Sequence, residues 1–106
     1  MEKLGVYFKE CLLGTLEFDG EKYTYLINEA GIKMAKKKKY PYFLYDANQS
    51  FVSEVLPESW MSLVVKNDNP NTMIQFEIEE DDIDYVRLAK VALADSHKPD
   101  FHFEVI

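Results

Sequence analysis

LGVYFKECLLGTLEFDGEKYTYLI, residues 4–27, is the stretch that decides the fold. Leu4–Phe8 is a short run of β-forming residues, and Cys11–Phe18 is a second that places Leu16 and Phe18 on one face. Lys9-Glu10 separates them by the two residues a tight hairpin needs. Asp19-Gly20 is a strong hairpin signal, because such turns require a positive φ that glycine tolerates. The third run, Lys22–Ile27, is dense in tyrosine and β-branched residues. Three antiparallel strands therefore open the chain.

Beyond them, Asn28 is placed to cap a short helix running towards Met34 and Ala35, with Gly31 weakening it. Tyr40–Tyr45 reads as an extended aromatic segment, with Pro41 suiting an edge or a strand start. Asp46–Ser50 is a turn region. Phe51–Leu56 reads as a short helix with Phe51, Val55 and Leu56 towards the core, and Pro57 stops or resets it before a further helical turn over Glu58–Val64. Asn67–Asn71 is a loop. Thr72–Ile78 alternates, which predicts a strand carrying Ile74, Phe76 and Ile78 on one face. Glu79–Asp82 loads acid onto a helix start, where the macrodipole favours it. Ile83, Val86, Ala89 and Leu93 form the stripe of that helix, which ends near Asp95-Ser96. Phe101–Ile106 closes as a strand. The order βββ-α-β-α-β-α-β predicts an α+β fold with a small antiparallel or mixed sheet and about three short helices.

The 106 residues suit one domain, residues 1–106, with 47% hydrophobic and 14% aromatic content. No apolar run approaches the roughly 18–20 residues needed to cross a bilayer. The start MEKLGVYFKE has neither the basic opening nor the apolar stretch of a signal peptide, so a cytoplasmic location is expected. Cys11 is the one cysteine, which excludes an internal disulfide and fits a reducing setting; its neighbours Leu12 and Leu13 make it read as a buried thiol. Charge is divided unevenly: residues 1–50 balance at +1 and residues 51–106 at −8, giving −7 in all. Such a surface repels a phosphate backbone and suits a basic protein partner.

Signatures of chemistry are few. No glycine-rich phosphate cradle is present, nor the lysine, glutamate and metal-binding acids of a kinase. His97, Asp100, His102 and Glu104 are the best metal candidates, since alternate residues of a strand share a face; polar outward positions explain them more simply. The run Glu79, Glu80, Asp81, Asp82, Asp84 lacks the spacing of a calcium loop. No nucleophile, metal or cofactor is assigned, and catalysis is not expected.

Three stretches together resemble HipA-type proteins. Leu4-Gly5-Val6-Tyr7 followed by Leu13-Gly14-Thr15-Leu16 resembles their "L-x-V-Y … V-G-x-L" opening. Gly20 to Ile32 resembles the segment after it, and Phe51 to Glu58, FVSEVLPE, resembles the F-x-x-x-L-L-P element, ending in an acid, that closes the N-terminal subdomain of HipA kinases. The resemblance covers Leu4 through Met61. Where those kinases carry "L-S-L-S-L-P", this chain has Tyr40–Tyr45, and where they continue into a catalytic core the sequence stops at 106, so a subdomain without that core is expected. A free-standing subdomain of this kind is similar to HipS proteins of three-part HipBST toxin–antitoxin systems. The resemblance implies a HipA N-terminal-subdomain-like fold. It also implies a HipT-like kinase toxin that the chain neutralises, and a HipB-like helix-turn-helix protein in the same complex.

Trp60, the one tryptophan, lies in Leu56, Pro57, Glu58, Ser59, Trp60, Met61. It either packs under the short helix with Met61 and Val64 or projects into a groove on the kinase. The second reading is favoured, because Pro57 fixes the local backbone, Glu58 and Ser59 are compatible with solvent, and tryptophan is enriched at binding hot spots. The block Lys36, Lys37, Lys38, Lys39 reads as a solvated loop or helix end, with contact to DNA phosphate or an acidic partner as the functional alternative. That alternative makes the chain an assembly subunit of a DNA-bound repressor complex.

Overall fold

Strand β1 (Leu4–Phe8) turns at Lys9-Glu10 into β2 (Cys11–Phe18), and the loop 19–22 leads into β3 (Tyr23–Ile27), so the opening meander forms where the sequence places it. That loop is longer than the two residues Asp19-Gly20 suggest, because Asp19 Oδ1 accepts the N–H groups of Glu21 and Lys22. In the computed structural model, which describes residues 2–94 and 97–106, two further strands complete the sheet. These are β4 (Phe51–Ser53) and β5 (Phe101–Val105), and the order is β4-β3-β2-β1-β5, antiparallel throughout. The helices are α1 (Glu29–Lys37), α2 (Glu58–Met61), α3 (Pro70–Gln75) and α4 (Asp84–Leu93). The fold is therefore α+β.

Alternation along the strands fixes which face is covered. Leu4, Val6, Phe8, Leu16, Tyr23, Tyr25, Phe101 and Phe103 are buried on one side, as a period of two requires. A bulge between Val6 and Tyr7 shifts the register of β1 on β2, so Phe8 still faces Cys11. Trp60 of α2 and Tyr85, Leu88 and Ala92 of α4 complete this core. The other face carries Tyr7, Thr15, Thr24, Leu26, Val52 and His102, and among these Leu26 and Val52 are more than half exposed.

Helix α1 starts as expected, with the Asn28 side chain accepting from the Gly31 N–H at 3.3 Å. Gly31 has a second role: a β-carbon there would lie 1.6 Å from the Leu12 carbonyl oxygen, so its lack of a side chain lets the helix lie on β2.

Five expectations are corrected. Tyr40–Tyr45 is no strand; Tyr42–Tyr45 is a single 3-10 turn, with the Leu44 N–H bonded to the Pro41 carbonyl at 3.2 Å. The half-buried pair is Tyr42 and Tyr45, three apart, which matches the 3-10 period and not a period of two. Phe51–Leu56 is no helix. Pairing of Phe51 with Tyr25, ring centroids 5.4 Å apart, outweighs the helical spacing of Phe51 and Val55, and Val55 is exposed.

Thr72–Ile78 is no strand either, because Pro70 opens α3 two residues earlier, at a helical position where its missing N–H costs nothing. The end of α3 is a left-handed cap: Glu77 has φ +56°, its N–H bonds the Ile74 carbonyl, and the Ile78 N–H bonds the Met73 carbonyl at 2.8 Å. Finally, the buried face of α4 is Tyr85, Leu88 and Ala92, whereas Ile83 and Leu93 of the expected stripe are exposed. The acids Glu79–Asp82 precede α4 and do not form its first turn. The expected helix end at Asp95-Ser96 lies outside the described residues.

Candidate functional site

Trp60 is fully buried. Its ring meets Tyr25 edge-on at 5.0 Å, and Phe51, Phe103 and Phe101 stand at 5.4, 5.7 and 6.0 Å. Its indole N–H donates to the Tyr45 carbonyl, so the polar tip is satisfied inside the fold. The reading of this indole as a wedge offered to a kinase is thereby overturned. Its one N–H finds a carbonyl, and four aromatic rings from three strands exclude water from it.

The rest of the segment divides by depth. Leu56 is buried beside Trp60; Pro57, Ser59 and Met61 are half-buried; Glu58 is exposed. The Pro57 carbonyl accepts the N–H groups of Trp60 and Met61 at 2.9 and 3.0 Å, so the proline starts the turn from its cap position. Ser59 Oγ donates to Asp46 Oδ2 at 3.0 Å, tying α2 to the end of the 3-10 turn.

Just before this clamp, the chain rises to the surface. Val52 is 66% exposed and Val55 is 70% exposed, with Glu54 exposed between them. The Val55 N–H bonds Ser53 Oγ at 3.2 Å, which turns the chain out of β4. The segment 52–58 thus presents an apolar ridge of Val52 and Val55, with Glu54 and Glu58 exposed beside them in sequence and Leu56 buried. Sequence reasoning missed this ridge because it assigned the segment to a helix with Val55 inward.

The lysine block is divided by its own neighbours. Lys38 pairs with Glu10, to which the Tyr40 hydroxyl also donates at 2.9 Å. The Lys38 ammonium first, then a main-chain N–H and that phenol, hold the Glu10 carboxyl down at about 2. Lys39 occupies a left-handed position, φ +60°, that ends α1. Lys36 and Lys37 remain exposed on the last turn of α1, where cations suit the dipole.

Arg87, the chain's one arginine, is buried and unforeseen. Its guanidinium donates to the carbonyls of Asp82, Val65 and Glu80 at 2.8, 2.8 and 2.9 Å, and to that of Glu79 at 3.3 Å. Lys90 bonds the Glu77 carbonyl and the Asp82 carboxylate, which lowers the Asp82 pKa chiefly through that hydrogen bond. The acidic run is thus a loop wrapped around two cations. The signal available in the sequence was an arginine five residues after Asp82, too generic to read.

His102 stacks on Tyr7 at 5.5 Å; its Nε2 lies 2.9 Å from Glu104 Oε2 and its Nδ1 lies 2.9 Å from the Pro99 carbonyl. Both ring nitrogens therefore lie within hydrogen-bond distance of this chain's own oxygens. Among the described residues no three metal-ligating side chains converge. An apolar crevice of about 190 Å³ lies between α4 and β5, lined by Leu63, Phe76, Leu88, Val91, Phe101 and Phe103, with His97 and His102 also in its walls. It has room for an apolar side chain. The search against family models, curated proteins and solved structures finds no match to this chain.

Proposed function

We propose that this chain is a HipS-type antitoxin, which binds a HipT-like kinase toxin and holds it inactive through the ridge 52–58. The observation that carries this reading is the contrast within one short segment. Val52 and Val55 stand about two-thirds exposed in the same short segment as Leu56 and Trp60, which are sealed in the core. Large apolar groups held rigidly at the surface lose little entropy when covered, which is what a tight inhibitor needs. Glu54 and Glu58 beside them, and the net charge of −7, favour a basic partner surface. Neutralisation works by occupying the kinase face that must close for phosphoryl transfer. A HipB-like helix-turn-helix protein joins the complex and supplies the DNA contact, and the cytoplasm is the compartment, which the buried thiol of Cys11 suits.

The test is inhibition of a purified HipT-like kinase toxin. The wild-type chain stops its phosphorylation at equimolar ratio, and Val55→Asp weakens inhibition about tenfold or more, near 1.4 kcal/mol. A kinase that stays active with excess wild-type chain overturns the antitoxin reading. Equal inhibition by Val55→Asp overturns the ridge.

A further inference from the structure

The hydrogen-bond parity of the sheet specifies how a partner is held at the ridge. The Asn28 N–H bonds the Leu13 carbonyl at 2.8 Å and the Asp19 N–H bonds the Lys22 carbonyl at 3.2 Å. In the register that pairs Thr15 with Leu26 and Glu17 with Thr24, the even-numbered residues of β3 therefore direct their main-chain groups at β2. The odd-numbered ones, Tyr23, Tyr25 and Ile27, direct theirs the other way, and the Ile27 N–H does bond Ser50 Oγ at 3.0 Å. Tyr25 pairs with Phe51 and Tyr23 with Ser53, so Phe51 and Ser53 spend their main-chain groups on β3. Between them, the N–H and C=O of Val52 point out of the sheet at its edge, and no described residue bonds either group.

Edge strands of natural sheets are commonly blunted by lysine, proline or a bulge. β4 is short, which is one such protection, but Phe51-Val52-Ser53 carries none of the others. On the outer face beside this edge, Val52 and Leu26 are both more than half exposed.

We propose that β4 is a docking edge, to which an extended segment of the partner adds as a sixth strand. The occupant is a strand with apolar residues at alternate positions, covering Val52 and Leu26, and a basic residue to meet Glu54. Outward main-chain donors and acceptors are matched by another extended backbone, and the apolar pair selects its side chains. A second copy of this chain is the disfavoured occupant, because each carries a net charge of −7. This inference rests on the antitoxin reading and names the mode of contact.

Val52→Pro tests it. Proline removes the outward N–H, and edge positions whose N–H faces solvent are where a sheet tolerates it. Val52→Thr keeps that N–H and a branched side chain. The expected result is that Val52→Pro weakens kinase binding at least tenfold while Val52→Thr stays within about threefold. If Val52→Pro unfolds the chain, hydrogen exchange of the wild type decides instead: the Val52 amide exchanges fast in the free chain and at least tenfold slower in the complex. Unchanged binding by a folded Val52→Pro, or a Val52 amide as fast in the complex as outside it, overturns the docking edge and leaves the antitoxin reading standing. A kinase that does not bind the wild-type chain overturns that reading instead, and a complex of two copies of this chain at the edge replaces the occupant.

Discussion

The indole N–H of Trp60 donates to the main-chain carbonyl of Tyr45, joining α2 to the last residue of the 3-10 turn across fifteen positions of sequence. With the Ser59–Asp46 bond beside it, this contact closes the segment 45–60 into one unit and fixes β4 between its ends. The buried Trp60 thus anchors the segment that carries Val52 and Val55.

Trp60→Ala is therefore a stability mutant first. Removing a fully buried aromatic is expected to cost about 3–5 kcal/mol, a large share of the roughly 5–15 kcal/mol that holds a domain together. Trp60→Phe keeps most of the ring area but leaves the Tyr45 carbonyl unpaired, at about 1–3 kcal/mol. Urea unfolding by circular dichroism orders the two. A Trp60→Ala chain as stable as the wild type contradicts the packing described above.

Glu77 ends α3 at φ +56°, a conformation that suits glycine. Glu77→Gly is expected to raise stability by about 0.5–1 kcal/mol, since a β-carbon is strained there. The Lys90 bond at Glu77 uses the main-chain carbonyl and survives the change. Glu77→Ala, which keeps a β-carbon, gains nothing. A lower urea midpoint for the glycine variant would show that the cap is not strained.

Much of the fold was legible because β1, β2, β3 and β5 are runs of β-forming residues, because Lys9-Glu10 and Asp19-Gly20 mark the turns between the first three, and because Asn28 is a helix cap by residue type. The errors cluster where one pattern has two readings. Ile74, Phe76 and Ile78 alternate like a strand, but Pro70 starts a helix, and its terminator is Glu77 where a glycine would have announced it. Phe51 and Val55 are spaced for a helix, yet what decides them is Tyr25, distant in sequence. On α4 the residues three apart were read one face away from Tyr85 and Leu88, since Ile83 and Leu93 are the more hydrophobic choices. The site was harder still: a lone tryptophan reads equally well as core or contact, and its four surrounding rings come from strands the local sequence does not reveal.

Alkaline pH is expected to unfold the chain by way of its buried phenols. Burial first, then the Glu17 charge, pushes Tyr85 up to about 12, and burial raises Tyr23 and Tyr25 as well. The unfolded chain releases these protons near pH 10, whereas the folded chain retains them, so their contribution is complete below pH 10 and is lost as the pH rises towards 12. The urea midpoint should hold steady between about pH 7 and 9 and fall above about pH 10. Tyr85→Phe, lowering stability by losing the bond to the Leu16 carbonyl, should flatten that fall. An unchanged slope in the variant would assign the alkaline loss to other groups.

The ridge and the sealed indole make opposite demands on one spectrum. With 5-fluorotryptophan incorporated at Trp60 and the valine methyls labelled, the free chain is titrated with unlabelled HipT-like kinase and followed by fluorine and methyl resonances. The fluorine signal is expected to keep its buried position to saturation while the methyls of Val52 and Val55 shift or broaden. A fluorine signal that moves while both sets of methyls stand still would put the indole, and not the ridge, at the interface.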